Sequence, residues 1–197
     1  HRASYLRSGI VKQVIEQLKA WDIQLLLWIN HAGSETWDTI FWYATKAWVG
    51  IPLYFIAFLW FWRSRGKKKA LMAALLTALS VGITDLICGH MLKPAFGRLR
   101  PSHEPALSYQ IRLVHDYRGG RFSFPSNHAA NAAAGTLSFA LQARHPLIWI
   151  VGSLWTILHS FTRVYLGVHY PSDILGGWVV GSLVAFILLR LYERWHA

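Results

Sequence analysis

The sequence has one cysteine, few acidic residues and little charge overall. This cysteine, Cys88, lies inside an apolar run. A single cysteine excludes a disulfide framework within the chain and a cysteine-based metal site. Only 15% of the 197 residues are charged, whereas 54% are hydrophobic. Few soluble domains combine so little charge with 11 Trp, 8 Tyr and 10 Phe. The composition therefore favours an integral membrane protein with a single domain, residues 1–197.

Basic residues outnumber acidic ones, and the formal net charge is +11. Such a charge favours nucleic acid or anionic lipid as a partner. The basic residues lie between apolar runs rather than along one soluble face, so we expect lipid headgroups and phosphate substrates, and no nucleic acid. No cleavable signal peptide is recognised. Nothing in the sequence indicates an oligomeric state.

The long apolar segments predict an all-α, polytopic transmembrane helix bundle with five to six spans. The five convincing spans are residues 39–62, 70–92, 127–143, 147–165 and 172–191. The first contains Lys46, Gly50 and Pro52, so it is either one kinked span or a short helix followed by a span. Residues 38–191 would form the catalytic bundle.

Two segments differ from these spans. Residues 1–35 form an N-terminal amphipathic segment, in which the helical spacing of apolar residues over 9–20 predicts an interfacial helix or a sixth span. We expect Asn30–Glu35 to be a turn. The stretch Pro94–Pro125 is polar and rich in Arg and Pro, so it predicts a long active-site loop outside the lipid.

One short connection carries five basic residues and no acid, which by the positive-inside rule assigns it to the cytoplasm: Arg63, Arg65, Lys67, Lys68 and Lys69. Counting spans from this loop places the remaining polar clusters on the opposite face. We therefore expect a multi-pass protein of the cytoplasmic (inner) membrane with its active site on the periplasmic side.

Three separated clusters at the ends of apolar segments contain the residues suited to chemistry. Lys93 and Arg100 offer a point charge and a planar fork that suit phosphate oxygens, although both could instead extend to the membrane interface. Ser126, Asn127 and His128 open a helix after Pro125, where free N–H groups bind anions. His128 is suited to proton transfer, or makes an ordinary helix-terminal hydrogen bond.

The third cluster runs from Arg163 to Asp173. Arg163 can hold a phosphate from the end of its helix. Asp173 follows His169 by four residues, so the two can meet across a helix that starts at Pro171. A carboxylate bonded to one ring nitrogen leaves the other free to attack. The alternative is a capping Asp beside an unrelated His.

Lys-x6-Arg-Pro, Pro-Ser-x-His and Arg-x5-His-x3-Asp, in this order, resemble the three-part signature of the type 2 phosphatidic acid phosphatase superfamily. The resemblance covers roughly residues 38–191. Its membrane branch contains lipid phosphate phosphatases, including undecaprenyl-diphosphate and phosphatidylglycerophosphate phosphatases. The resemblance therefore implies a lipid phosphatase that acts on a phosphate monoester or diphosphate in the bilayer.

The resemblance also implies the role of each residue. His169 would form a phosphohistidine, Asp173 would orient it, and His128 would protonate the leaving group and then activate water. The phosphate-binding residues would be Lys93, Arg100, Ser126, Asn127 and Arg163. The family needs neither a metal nor another cofactor, because these cations supply the stabilising charge.

Two positions depart from the family pattern. Asn127 stands where the family usually has Gly, and Thr162 where it has Ser. We expect activity to survive both, while Asn127 alters substrate fit. Thr162 could belong to a second shell around the site, together with Asp85, His90 and His159. For Asp85, His90 and His159 we favour ordinary interhelical hydrogen bonds.

Two other functions fit parts of the pattern. A phosphotransferase would begin with the same phosphohistidine and pass the phosphoryl group to a lipid or sugar hydroxyl. An anion transporter would need no His–Asp pair, and its site would be expected near the middle of the bilayer. A soluble vanadate-binding haloperoxidase has related motifs, but the predicted spans argue against it. The lipid tail and headgroup of the substrate are not encoded in motifs that recognise phosphate.

Overall fold

The computed structural model describes residues 2–196, with side-chain surroundings from residue 9, and these residues form helices without a named strand. The two ends of the predicted domain, residues 1 and 197, lie outside the described residues. The helices are α1 (Arg2–His31), α2 (Glu35–Ala44), α3 (Ile51–Arg65), α4 (Lys67–Leu86), α5 (Lys93–Phe96), α6 (Asn127–Ala143), α7 (Pro146–Tyr165) and α8 (Pro171–Trp195). A π-helical segment, Ile87–Leu92, joins α4 to α5.

Length and composition allow fewer membrane crossings than the sequence suggested. Lys67–Phe96, Pro146–Tyr165 and Pro171–Trp195 are long and apolar enough, and α2 with α3 makes a fourth if that pair, bent by 72°, is one span. The all-helical membrane fold is confirmed, but five to six spans are not. At 17 residues, α6 is only about 26 Å long against a hydrocarbon core of about 30 Å.

The N-terminal segment also differs in detail from the prediction. It is one helix to His31, so Asn30 is helical and only the connection to α2 turns. Apolar side chains such as Ile10, Val14 and Trp28 are exposed along it, as expected for a helix in contact with lipid. The buried Asn30 donates to the carbonyls of Arg112 (2.9 Å) and Tyr165 (2.8 Å), which fixes the helix end to the long loop and α7.

The centre of the bundle is α6, which packs against α4, α7 and α8. Its alanines, among them Ala129, Ala130 and Ala134, are completely buried. Small residues on α8 permit this approach: a Cβ atom on Gly181 would lie 2.0 Å from the Ala130 carbonyl oxygen. Close packing of small residues is how helices associate in a membrane, where water provides no hydrophobic driving force.

Helices of alternating direction bring the three polar clusters to one end of this bundle. The loop between α5 and α6 closes at its base, where Ser123 N donates to Arg98 O (2.8 Å) and Arg100 N to Arg121 O (3.1 Å). The far side of this loop is held by Arg112, which donates to both carboxylate oxygens of Asp38, at 2.8 and 2.7 Å. The basic turn between α3 and α4 lies at the other end of the bundle.

Candidate active site

The three clusters meet where the ends of α5, α6, α7 and α8 converge. The Ser126 N–H donates to the carbonyl of Asp173 at 3.0 Å, which joins the start of α6 to the start of α8. The charges of Lys93, Arg100 and Arg163 are all close enough to act on His169. Residues from all three predicted motifs are thus brought into one site.

His169 and Asp173 form a buried pair at the start of α8. His169 Nδ1 lies 3.2 Å from Asp173 Oδ2, which also accepts the Tyr170 N–H at 2.9 Å. Both side chains are 0% exposed. The second ring nitrogen, Nε2, is buried and has no hydrogen-bond partner within residues 9–196. A carboxylate at Nδ1 selects the tautomer in which Nε2 holds the free lone pair.

Burial and the nearby cations keep the His169 ring uncharged. Burial lowers the pKa of His169 well below its usual value of 6.5, and the positive charges of Arg100 and Arg163 lower that pKa further. The histidine is therefore neutral at pH 7. A neutral imidazole with an unpaired Nε2 has the electronic state that a nucleophile requires.

Two arginines on separate elements present unpaired N–H groups to the site. Arg163 is buried and donates to Thr45 Oγ1 (2.6 Å) and Tyr117 Oη (3.1 Å), yet its Nε has no described partner. Arg100 donates through Nε to the Phe122 carbonyl (3.1 Å), and its buried Nη1 has no partner among residues 9–196. Buried donors without partners are rare in proteins and here indicate an anion site.

Burial and the neighbouring charge of Arg163 lower the pKa of Arg100 to about 10, so Arg100 remains a cation at neutral pH. Lys93 is half-buried at the start of α5 and adds a third positive charge. Around the neutral imidazole, the three cations Lys93, Arg100 and Arg163 form a positively charged pocket whose chemistry suits a phosphate anion, the phosphate pocket.

The start of α6 supplies the residues of the second cluster. Ser126 caps the helix, its Oγ accepting the Ala129 N–H at 3.5 Å. The half-buried ring of His128 stacks on His159, with 5.4 Å between the centroids. His159 in turn stacks on Trp155 at 4.9 Å, and its Nδ1 lies 3.1 Å from the Ala44 carbonyl oxygen. His159 therefore supports His128 rather than facing the phosphate pocket.

The remaining predicted residues lie outside the phosphate pocket. Thr162 donates to the His159 carbonyl at 2.7 Å, within its own helix. Asp85 Oδ1 accepts from Asn127 Nδ2 (2.8 Å) and Asn131 Nδ2 (2.9 Å), which are the interhelical bonds favoured for it above. His90 is exposed on the π-helical segment.

Comparison with known proteins agrees with this geometry. Residues 70–197, about two thirds of the chain, match the sequence profile of the PAP2 superfamily. A protein named lipid A 4'-phosphatase from Bacteroides thetaiotaomicron is 35% identical over 186 residues, which cover 92% of this chain and 83% of that protein. The chain belongs to the PAP2 superfamily.

Other PAP2 relatives differ in name but not in class. An undecaprenyl-diphosphatase from Sulfolobus acidocaldarius is 26% identical, with 89% of this chain and 81% of that protein covered. The crystal structure of a transmembrane PAP2 type phosphatidylglycerolphosphate phosphatase from Bacillus subtilis has a TM-score of 0.65, 22% identity and coverage of 90% and 87%. The relatives are named phosphatases, and the chain is a membrane lipid phosphatase of this superfamily.

Arg98 is a contact of the PAP2 site that the sequence motifs do not mark. It donates to Asp173 Oδ1 (2.8 Å) and to Asp22 Oδ2 (2.7 Å) in α1. Asp22 also accepts from Ser172, through both its N–H (2.9 Å) and its hydroxyl. Arg98 lies at one of the unspecified positions of the first motif, and Asp22 lies far away in sequence, so only the folded chain reveals the link.

A groove opens beside this PAP2 site, between α3, α4, α6 and α7. Its volume is about 680 Å³, and its lining is mainly apolar, with Tyr54, Val81, Ala132 and Trp155 along the walls. The same groove is also lined by polar side chains, which are His128, His159, Asn127, Asn131 and Asp85. The apolar lining suits a lipid chain, and His128 connects the groove to the phosphate pocket.

Proposed function

We propose that this protein hydrolyses a phosphate monoester or diphosphate of a membrane lipid through a phosphohistidine at His169. The observation that carries the proposal is the buried, unpaired Nε2 of a neutral His169 among Arg100, Arg163 and Lys93. A histidine that only stabilised the fold would be expected to use both ring nitrogens in hydrogen bonds once buried.

The first step transfers the phosphoryl group to the protein. The Nε2 lone pair of His169 attacks phosphorus, and the bond from phosphorus to the leaving oxygen breaks as the N–P bond forms. His128 gives its proton to the leaving alcohol or phosphate. Asp173 accepts a hydrogen bond from the Nδ1–H group of His169, and its negative charge stabilises the positive charge that develops on the His169 ring. Arg100, Arg163 and Lys93, with Ser126 and the N–H groups of Asn127 and His128, hold the phosphoryl oxygens.

The second step releases inorganic phosphate. His128, now unprotonated, takes a proton from a water molecule that attacks phosphorus from the side the leaving group vacated. The N–P bond breaks, the electron pair returns to His169 Nε2, and His128 regains its starting protonation state. The three cations supply the charge stabilisation that a metal ion supplies in other phosphoryl transfers, so we propose that the reaction needs no metal.

We further propose that the reaction takes place on the periplasmic face of the inner membrane. The basic turn from Arg63 to Lys69 lies at the opposite end of the bundle and favours the cytoplasm. The substrate would be a membrane lipid phosphate, since relatives are named for lipid A, undecaprenyl diphosphate and phosphatidylglycerophosphate. Its tail would occupy the apolar groove beside His128.

The experiment measures phosphate release from these lipids by detergent-purified protein in the presence of EDTA. His169→Ala should lower kcat by at least about 1,000-fold, because the nucleophile is lost. His196→Ala is the matched control: this histidine is exposed at the end of α8 and should leave kcat unchanged. Brief reaction with a radiolabelled substrate should label wild type at histidine. A requirement for added metal, or full activity of His169→Ala, would refute the mechanism.

A further inference from the structure

A carboxylate in the apolar groove beside the site takes no part in the proposed chemistry. Asp85 lies near the end of α4, within the apolar candidate span Lys67–Phe96, and it is exposed at the groove. An acid inside an apolar span is energetically expensive and is a functional-site hypothesis by default. The negative charge would repel a phosphate, so its function must concern another part of the ligand.

Two amides hold this carboxylate in place. Asn127 Nδ2 and Asn131 Nδ2, on successive turns of α6, both donate to the same oxygen, Oδ1, at 2.8 and 2.9 Å. A carboxylate can only accept, which fixes the NH2 end of each amide toward Asp85. Within the described part of the chain, Oδ2 receives no hydrogen bond from a side chain.

The cluster therefore contains more acceptors than donors. The Oδ1 atoms of Asn127 and Asn131 are buried and also have no hydrogen-bond partner among residues 9–196. Together with Asp85 Oδ2, three oxygen acceptors lack a donor. Of these three oxygens, the one on the exposed Asp85 is open to the groove, so a ligand complementary to the cluster must carry an N–H or O–H donor.

The position of the cluster relates those donors to the phosphate. Asn127 lies between Ser126 and His128, so the cluster borders the phosphate pocket on its groove side. Lys93 follows Asp85 by about two helical turns within the same candidate span, Lys67–Phe96. A single headgroup can thus place its phosphate among the cations and its donors at Asp85.

We propose that Asp85, held by Asn127 and Asn131, recognises hydrogen-bond donors on the headgroup that carries the phosphate, and that it selects phosphorylated glycolipids over polyprenyl diphosphates. Sugar hydroxyl and amide N–H groups provide donors, whereas a polyprenyl chain provides none. This inference rests on the proposed function and adds a specificity-determining residue to it.

The test compares kcat/KM of wild type and Asp85→Asn on lipid A, undecaprenyl diphosphate and phosphatidate. The substitution retains an oxygen that can accept from both amides and replaces only the free acceptor by a donor. Activity on lipid A should fall about 10- to 100-fold, as expected for the loss of a hydrogen bond to a charged group. Activity on undecaprenyl diphosphate should change by less than about 2-fold. Glu193→Gln, which changes an exposed carboxylate at the far end of α8, is the matched control and should leave the ratio unchanged.

A second arm does not depend on how the variant folds. Wild-type protein should lose a comparable factor on a lipid A analogue whose sugar hydroxyls are methylated. An equal loss on all three lipids in Asp85→Asn, or no loss on the methylated analogue, would overturn the inference while leaving the phosphatase intact. Wild-type protein inactive on every lipid phosphate would instead refute the proposed function.

Discussion

Arg98 joins Asp22 of α1 to Asp173 of the buried His–Asp pair, so α1 should influence catalysis through one guanidinium. The side chain of Asp173 is 0% exposed and that of Arg98 is 30% exposed. Arg98→Met keeps much of the side-chain length and removes the charge. The buried carboxylate then keeps the Tyr170 N–H and His169 but loses its charged partner.

The expected magnitude follows from the bond that is lost. A hydrogen bond to a charged group contributes about 1.5–3 kcal/mol. If the transition state loses all of this stabilisation and the bound substrate loses none, kcat falls by about 10- to 150-fold. Asp22→Asn removes the outer, more solvated partner of Arg98, which also accepts from Ser172. An ion pair to such an outer partner contributes up to about 1 kcal/mol, so kcat should fall by no more than about 5-fold.

A double-mutant cycle with phosphate release as the assay separates positioning from folding. If Asp22 acts through Arg98, the double variant should have the kcat of Arg98→Met alone, and the two effects should not add. KM should change little, because neither residue belongs to the proposed phosphate-binding set. Arg98→Lys should recover part of the loss. Arg118→Met is the matched control, since Arg118 lies in the same loop but donates to the Ser102 carbonyl.

Three results would contradict this reasoning. A kcat for Arg98→Met within 2-fold of wild type would mean that Asp173 orients His169 without its second partner. Additive effects in the cycle would show that Asp22 acts by another route. A loss of thermal stability with unchanged kcat in the surviving folded fraction would make the link purely structural.

Three further predictions follow from other contacts. Arg163→Lys keeps the charge but loses the fork that reaches both Thr45 and Tyr117, so kcat/KM should fall about 10-fold or more in the same assay. Gly181→Ala should destabilise the bundle by about 1–3 kcal/mol in thermal melts in detergent, because the added Cβ would collide with the Ala130 carbonyl. Gly82→Ala is the control, since a Cβ there meets open space. Equal melting temperatures of the two variants would refute the packing account. Because the pKa of His169 is lowered, the unfolded chain binds more protons below pH 6.5. Stability should therefore fall on acidification below about pH 6.5, by at most about 1.4 kcal/mol per pH unit from this residue, with a shallower slope in His169→Gln.

Most helices could be predicted because they are long, apolar and bounded by polar residues. The segment 127–143 coincides with α6, and 147–165 and 172–191 differ from α7 and α8 by only a few residues at their ends. The number of spans could not be predicted, because apolarity does not distinguish lipid contact from burial. Most of α6 is apolar because it is enclosed by other helices.

The site could be predicted only to the extent that its residues lie close together in sequence. The contact between His169 and Asp173 follows from their four-residue spacing at a helix start. The partners of these residues could not be predicted, because Thr45 and Tyr117 reach Arg163, and Asp22 reaches Arg98, only after distant segments pack. Polar residues outside motifs give no signal of such long-range contacts.

The distribution of the few acidic residues explains why the motif cations remain available. Asp22 and Asp173 bind Arg98, and Asp38 binds Arg112, so carboxylates neutralise the arginines that anchor the loop and α1. Within residues 9–196, no carboxylate comes within ion-pair distance of the three motif cations: Lys93, Arg100 and Arg163. Charges that are partly buried and unpaired destabilise the folded protein unless a bound anion compensates them. Because acidic residues are few, carboxylates neutralise the arginines that hold the loop and α1 in place. The positive charge of the three motif cations stays available for the phosphate of the substrate.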